Sequence, residues 1–504
     1  MGFKADTSFL RFLSMGAAGA RQAMTYLRSK GFEPIELERY CTSNKIWATK
    51  VKRLRLPDLL CVRTGLRVEV RAKSDLRIRM SDAPTNPARR WDGGLRDDDL
   101  VAFITCSEDN GTPVPAATPV FFATGDLRAS EGTSKLGQAK SAAEGAERDR
   151  TWPAIVPSKS GVVQEVDAVR LRVLMDAEAG RQPRSQSYQL QKLEDAIGLN
   201  ESPSERKIAY VAVGERFVGG ASILAGTPRQ QTGLGPYLQN TYDPLADLAS
   251  PSDVDRYAAV KSLPYRPDLH GRVAAIEQRL EVETEDRVLL EVAGAGTALG
   301  SQKSGDRLER ILWHHERADL QMEVVLILTE VRNANARGLL SRIATDRHFC
   351  GQEVRQAAVW GMGKAGLHQY GDLLPFIADQ DRDVALHAVA GFGVDTPAEV
   401  VDHLIADLVA GDPQRAPAAS EALRVIGSDL VLRQLIAAQR GRNSADAWLL
   451  ATIGRLPAAK VRAALAGDAL LRRLAPMLLL SDGASWMAND AVDVDLKFLL
   501  KQNI

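Results

Sequence analysis

Two carboxylates and a row of basic side chains fall close together between residues 53 and 74, in RLRLPDLLCVRTGLRVEVRAKS. Leu59, Leu60, Cys61 and Val62 form one apolar run, and Leu66, Val68 and Val70 alternate with Arg67, Glu69, Arg71 and Lys73 in the next. Thr64-Gly65 between them is a tight-turn signal, so the pattern predicts two short strands joined in a hairpin. Period-two alternation puts Glu69, Arg71 and Lys73 on one face of the second strand. The hairpin folds that face back beside Asp58. Two carboxylates so placed can hold a divalent cation, Mg2+ or Mn2+, through oxygen ligands. Such a cation polarises a phosphodiester and lowers the pKa of a bound water. A neighbouring basic group then orients the water or offsets charge in the transition state.

The flanking sequence supplies elements to carry this hairpin. Residues 9–30 read as a helix, with Phe12, Met24 and Leu27 among its apolar positions and Gly31 as its stop. Residues 32–40 read as a strand, Ile35 and Leu37 inward, Glu36 and Glu38 on the other face. Residues 80–99 are polar and loop-like, and LVAFITC over 100–106 is a buried strand of the same sheet. Trp91, among Arg89, Arg90 and two glycines, has two readings: a grip on a nucleotide, or a pin that holds its loop to the core.

Pro57-Asp58, a short gap and Glu69-x-Arg71, set in this order of elements, resemble the core motif of the PD-(D/E)xK nuclease superfamily, over about residues 1–107. The resemblance implies a restriction-endonuclease-like α/β domain, a small mixed sheet flanked by helices. It assigns Asp58 and Glu69 as metal ligands and catalytic residues, with Arg71 or Lys73 as the basic catalytic group. Arg71 stands where the family usually has lysine, and Lys73 lies one step further along the same face. The family often carries an acid on its first helix. Residues 9–30 contain no Asp or Glu, which leaves Glu36 or Glu38 as substitutes, or none.

Charge separates along the chain although the formal total is zero. Over residues 1–110 there are 20 Lys plus Arg against 14 Asp plus Glu. Lys45, Lys50, Lys52, Arg53 and Arg55 cluster just before Pro57-Asp58 with no acid among them. A basic cluster beside a metal site suits a phosphate backbone, so DNA is the expected partner. The competing reading is a solvated basic edge that guards against strand pairing. All 7 histidines lie from His270 onward, which excludes histidine-dependent nuclease chemistry in the N-terminal part. Cys41, Cys61, Cys106 and Cys350 lack metal-ligand spacing and read as free thiols in a reducing compartment. No segment reads as a signal peptide or membrane span, and the expected location is the cytoplasm.

Residues 129–150 are polar, read as a surface helix or a mobile segment. Residues 151–231 are β-rich, and 233–250 form a linker. From 251 onward the pattern is helical and repeats: AAVWGMG ends at Gly363, HAVAGFG at Gly393, EALRVIG at Gly427 and WLLATIG at Gly454. Weaker copies end at Pro264, Gly296 and Arg332. A period near thirty residues means one helix pair per repeat, stacked to bury apolar stripes. The segment resembles HEAT-like repeats, with Ala358, Ala388 and Ala422 where helices approach closely and the glycines closing helices. The expected organisation is therefore multidomain: a nuclease-like α/β domain over 1–150, a β-rich module and linker over 151–250, and an all-α HEAT-like solenoid over 251–504.

Other motifs carry less. Adjacent His314-His315 point to different helix faces and do not make a metal site with Glu316. The glycines near Gly294 lack a following GK[ST], so no Walker loop is expected. Trp313, Trp360 and Trp448 read as core. The leading expectation is a Mg2+-dependent DNA endonuclease whose solenoid docks a partner protein or lies along duplex, an architecture suggestive of genome defence. The alternatives are a catalytically degenerate nucleic-acid-binding protein, a scaffold, and a HEAT-like DNA glycosylase.

Overall fold

The computed structural model describes residues 7–37, 47, 49, 54–109, 112–139, 147–177, 182–199, 206–314, 317–331, 333–346, 351–364, 369–441 and 446–470. It is multidomain, with a mixed α/β N-terminal region and a helical C-terminal half.

Helix α1 (Thr7–Ser29) is rich in Ala, Leu, Met and Arg, all good helix formers. Gly31 takes the left-handed conformation at φ 93°. The Phe32 N–H reaches back to the Leu27 carbonyl at 3.1 Å, closing the last turn. Strands β1 (Pro34–Glu36), β2 (Leu59–Cys61) and β3 (Arg67–Lys73) are antiparallel neighbours. After β4 (Arg79–Asp82), strand β5 (Leu100–Asp109) returns parallel to β3, and β6 (Thr112–Pro115) and β7 (Val120–Ala123) pair antiparallel with β5. Ala23, Met24 and Leu27 of α1 pack on Leu59, Val68 and Val70, so the apolar set of the alternation lies under the helix. Its charged set lies on the opposite face.

The polar composition of 80–99 predicts a loop, but Arg79–Asp82 is a strand. Ile78 and Met80 are fully buried, and that alternation outweighs the polar residues around them. Short α2 (Thr124–Ala129) follows, then β8 (Lys135–Leu136) and β9 (Arg148–Thr151), where the sequence suggests a helix or a mobile segment. β9 lies between β4 and β8 and spans the boundary expected at residue 150.

The β-rich stretch comprises β10 (Ala154–Ile155), β11 (Gly161–Val166), β12 (Arg170–Met175), β13 (Arg184–Gln189), α3 (Leu193–Ala196), β14 (Ile208–Ala209), β15 (Arg216–Phe217), β16 (Ala225–Gly226) and β17 (Gln230–Gln231). β17 pairs with β7 and so returns to the central sheet. The expected linker is packed chain: α4 (Gly235–Leu238) and α5 (Pro244–Asp247) are helical, and Leu234 joins the core under α1.

The helical half runs through α6 (Asp253–Ser262), α7 (Arg272–Val282), α8 (Asp286–Ala298), α9 (Gln302–His314), α10 (Ala318–Val331), α11 (Ala334–Thr345) and α12 (Gln352–Met362). A 3-10 segment (Tyr370–Phe376) leads to α13 (Arg382–Ala390), α14 (Ala398–Ala410), α15 (Arg415–Ile426), α16 (Asp429–Arg440), α17 (Ala447–Gly454) and α18 (Ala458–Ala464). Helices α6, α8, α10, α12, α13, α15 and α17 each pack on the next as one layer, and the intervening elements form the second. One core runs between the layers. Ser252, Asn333, Asp381, Ser428 and Asp446 cap helix N-termini.

Ala358, Ala388 and Ala422 are fully buried in the core of the helical half. Gly363 and Gly427 stop helices, whereas Gly296 lies inside α8 with Ser304 beside it, and α13 ends at Gly391 rather than Gly393. Buried arginines tie neighbouring segments of the helical half: Arg256 to Glu283 at 2.9 Å, Arg287 to Asp319 at 2.7 Å, Arg355 to Asp379 at 2.6 Å.

The N-terminal region is seated on this stack. Trp47 is buried edge-on against Trp360 of α12, with ring centroids 5.9 Å apart, and 5.6 Å from the ring of His387 on α13. The Thr49 N–H and hydroxyl donate to Glu353 at 2.7 and 2.5 Å. Burial pushes the His387 imidazole down to about 4 from its ordinary 6.5, against the pull of Asp383 and Asp381. Between those values the unfolded chain takes up a proton that the folded chain refuses. Stability is therefore full above pH 6.5 and falls as pH drops toward 4, by up to about 3 kcal/mol from this group. Denaturant melts from pH 7.5 to 4 should show the loss. Trp47→Ala should uncover His387, return its NMR-titrated pKa toward 6.5 and flatten the slope; an unchanged pKa would exclude Trp47 as the cover.

Candidate functional site

The β2–β3 hairpin forms as its sequence predicts. Gly65 closes it at φ 72°, and a Cβ there would lie 2.9 Å from the Tyr242 ring, so the turn needs glycine on both counts. Leu59 pairs with Val68 and Leu60 with Arg67. One step further along that register, Asp58 comes level with Glu69. Asp58 is buried, and its Oδ2 accepts the Val70 N–H at 2.5 Å. Glu69, whose side chain is 9% exposed, forms an ion pair with Arg71, 22% exposed. Arg71 Nη1 also donates to the Val70 carbonyl at 3.3 Å. Lys73, half-buried, ends β3 beside Thr105 of β5. The four residues Asp58, Glu69, Arg71 and Lys73 are thus brought to one hairpin.

Glu36 does not join them. Ile35 pairs with Leu60, and both share a small core with Leu37, Val62 and Ala258 of α6. Alternation then puts Glu36 on the other face, with Leu59, under α1. Glu38 lies outside the described residues, as do Lys45, Lys50, Lys52 and Arg53. Arg55 is described and half-buried. Its carbonyl lies against Gly94, where a Cβ would come within 2.1 Å, and Gly94 is at φ 78°. The Gly93-Gly94 turn therefore grips the backbone that leads into Pro57-Asp58.

Trp91 serves the pin reading: it is buried, edge-on to Trp152 at 5.1 Å, and its backbone N–H donates to Asp82 at 3.1 Å. Cys61 and Cys106 are buried free thiols, pushed up to about 12 and about 11 by desolvation, so neither serves as a nucleophile. Cys41, Cys350, His315 and Glu316 lie outside the described residues. Trp360 lies in the core of the helical half, and Trp448, partly buried, packs against that core elsewhere along it. Trp313, partly buried, also lines an open groove with Ser341, Arg342, Thr345 and Asp346, the Arg342 guanidinium 4.9 Å above its ring.

The charged face has a member whose role the alternation does not reveal. Arg67 is 2% exposed and donates from Nε and Nη2 to Asp99, the Nη2 bond at 2.7 Å. Its Nη1 donates to Asp255 of α6 at 2.8 Å. The acidic run Asp97-Asp98-Asp99 is the one sequence hint of a buried cation nearby.

Among the described residues no group of three or more His, Cys, Asp and Glu is disposed to hold a metal. The hairpin brings together two buried carboxylates, and one of them, Glu69, has the Arg71 guanidinium paired with it. No helix among the described residues is long and apolar enough to cross a membrane. No family model matches the chain, and no curated protein matches it.

Gly94→Ala should drive a methyl into the Arg55 carbonyl at an already left-handed residue and cost on the order of 1–3 kcal/mol. Thermal melts of the full chain measure this. A variant as stable as wild type would mean that the turn does not hold the Asp58 segment.

Proposed function

We propose that the protein is a metal-dependent DNA endonuclease of the PD-(D/E)xK type, acting in the cytoplasm, with a HEAT-like helical stack as its docking domain. The observation that supports this most is the hairpin register that sets buried Asp58 level with buried Glu69, on a mixed sheet whose other face is covered by α1. Asp58 and Glu69 would hold Mg2+ or Mn2+, which when bound supplies Lewis acidity and a more acidic water. The protein's own groups do the rest. Lys73, or Arg71 once free of Glu69, places positive charge at the scissile phosphate. The Val70 N–H fixes Asp58 so that its second oxygen keeps one direction. Arg55, with Lys45, Lys50, Lys52 and Arg53 before it, contacts the phosphate backbone. The helical stack offers a surface for a partner protein or for duplex, in a role such as genome defence or DNA processing.

A second reading has an observation in its favour. Glu69 is already neutralised by Arg71, which suits a hairpin that holds nucleic acid without cutting it.

Asp58→Asn and Glu69→Gln should each abolish Mg2+- or Mn2+-dependent cleavage and leave DNA binding intact or tighter, because a negative charge near phosphate is lost. Cleavage assays on supercoiled, linear, branched and single-stranded DNA, paired with binding titrations, check this. No cutting by the wild type anywhere in that panel sinks the endonuclease reading and leaves the binder. Replacing Lys50, Lys52 and Arg53 together by Ala should weaken binding and reduce its salt slope by about one unit per lost phosphate contact. A wild type without salt-dependent affinity for DNA or RNA removes both readings in favour of a scaffold.

A further inference from the structure

We propose that strand β13 is the edge at which a second copy of this chain pairs, antiparallel and about a two-fold axis through Ser187. β13 ends the sheet β13-β12-β11-β15, and among the described residues no strand lies beyond it. Arg184 to Ser187 and Gln189 are exposed, and Tyr188 is half-buried. The strand is held on one side only, and it has no part in the nuclease reading. Its ladder shows which backbone groups are open. Residues of an antiparallel strand point their N–H and C=O to alternate sides. In β12 the Arg170 carbonyl accepts from Asp167, and the Asp176 N–H just beyond the strand donates to Ser160, both on the β11 side. The even-numbered residues of β12 therefore address β11, and Leu171, Val173 and Met175 address β13. Their register partners there are Tyr188, Gln186 and Arg184. Ser185, Ser187 and Gln189 are left with their backbone turned outward, over about 14 Å of strand.

Edge strands are ordinarily protected by a proline, a lysine, a bulge or a charge within them. β13 has none of these: its pairing with β12 runs unbroken, and its one charge, Arg184, stands at its end. A two-fold at Ser187 sets Ser187 opposite its own counterpart and Ser185 opposite Gln189, so all three outward residues find a partner. A two-fold at Gln186 would set Gln189 against Pro183, which has no N–H to give. In the Ser187 register Gln186 meets Tyr188, and no charge meets its like. The chain's own strand is thus a complete template for this edge, and an isologous pair closes on itself. The formal net charge of zero sets up no long-range repulsion between copies. Leu193, Ile197 and Leu199 are 57, 60 and 74% exposed. Leu193 follows Gln189 by at most about 14 Å of chain, so a second copy at the edge has apolar surface within reach to cover. Strand pairing of this length is smaller than a standard interface, and the dimer is reversible.

The test is sedimentation velocity of the full chain across the micromolar range, beside oxidative cross-linking. Wild type should pass from monomer to dimer as concentration rises. Ser187→Pro removes an outward N–H and leaves every bond to β12 in place. Ser187→Lys sets like charges face to face at the axis. Both should weaken dimerisation by about tenfold or more. Ser187→Cys should form a disulfide-linked dimer under mild oxidation, since it meets its own counterpart with Cα atoms about 5.5 Å apart. Ser185→Cys, which faces Gln189, should not. Circular dichroism melts establish that each variant is folded; if Ser187→Pro does not fold, Ser187→Lys and Ser187→Cys decide, since neither constrains the backbone. A wild type that stays monomeric throughout overturns the proposal and leaves the edge to an extended peptide of another protein. A dimer that Ser187→Pro and Ser187→Lys leave unchanged, or that Ser185→Cys cross-links as readily as Ser187→Cys, overturns this edge as its seat.

Discussion

A guanidinium buried in the sheet needs its charge and its donors answered, and the way Arg67 is answered organises this protein. Its Nε and Nη2 go to Asp99, at the entry to β5, and its Nη1 to Asp255 on the first helix of the stack. Asp99 accepts the Arg96 N–H at 2.6 Å, and its carbonyl takes the N–H and hydroxyl of Thr124. Arg96 in turn reaches Asp255 and Asp247. One arginine therefore fixes the parallel β5, the start of α2 and the seat of the helical half. Losing one partner of such a buried pair costs about 3–5 kcal/mol, because it strands the other charge.

The register of β3 then follows from two faces with different needs. Val68 and Val70 require α1, and Arg67 requires Asp99. A slip of one residue would put valines among carboxylates and arginine under the helix. With the register held at Arg67, Glu69 cannot leave the level of Asp58. The candidate site inherits its geometry from an ion pair two residues away that has no part in its chemistry.

What was legible in the sequence was what local periodicity encodes. The hairpin, its turn at Gly65, helix α1 and the helical character of the C-terminal half were all readable, since each is set by neighbours within a few positions. The partners of Arg67 were not, because they lie 32 and 188 residues away. The same is true of β17, which returns to β7 from beyond the β-rich stretch, and of Gly94 against Arg55. Of the site, Asp58, Glu69, Arg71 and Lys73 fell together as read. Their ionic state did not follow from spacing: alternation puts Glu69 and Arg71 on one face but does not say whether the acid faces a cation of its own chain or an open position. Strand β4 was missed because Ile78 and Met80 are only two apolar residues in polar surroundings.

The helical half looks separable in sequence, with a composition and period of its own, yet its packing says otherwise. Trp47 fills a seat between α12 and α13, and Ala258 of α6 completes the small core of Ile35, Leu37, Leu60 and Val62. Arg266 donates to the Val62 and Tyr242 carbonyls at 2.9 Å each, while Tyr242 packs against the hairpin turn. Cut at residue 251, the stack would expose that apolar seat and leave Asp255 without Arg67. The chain between β1 and β2 is held at Trp47 by the stack and at Arg55 by Gly94, and Asp58 lies three residues beyond.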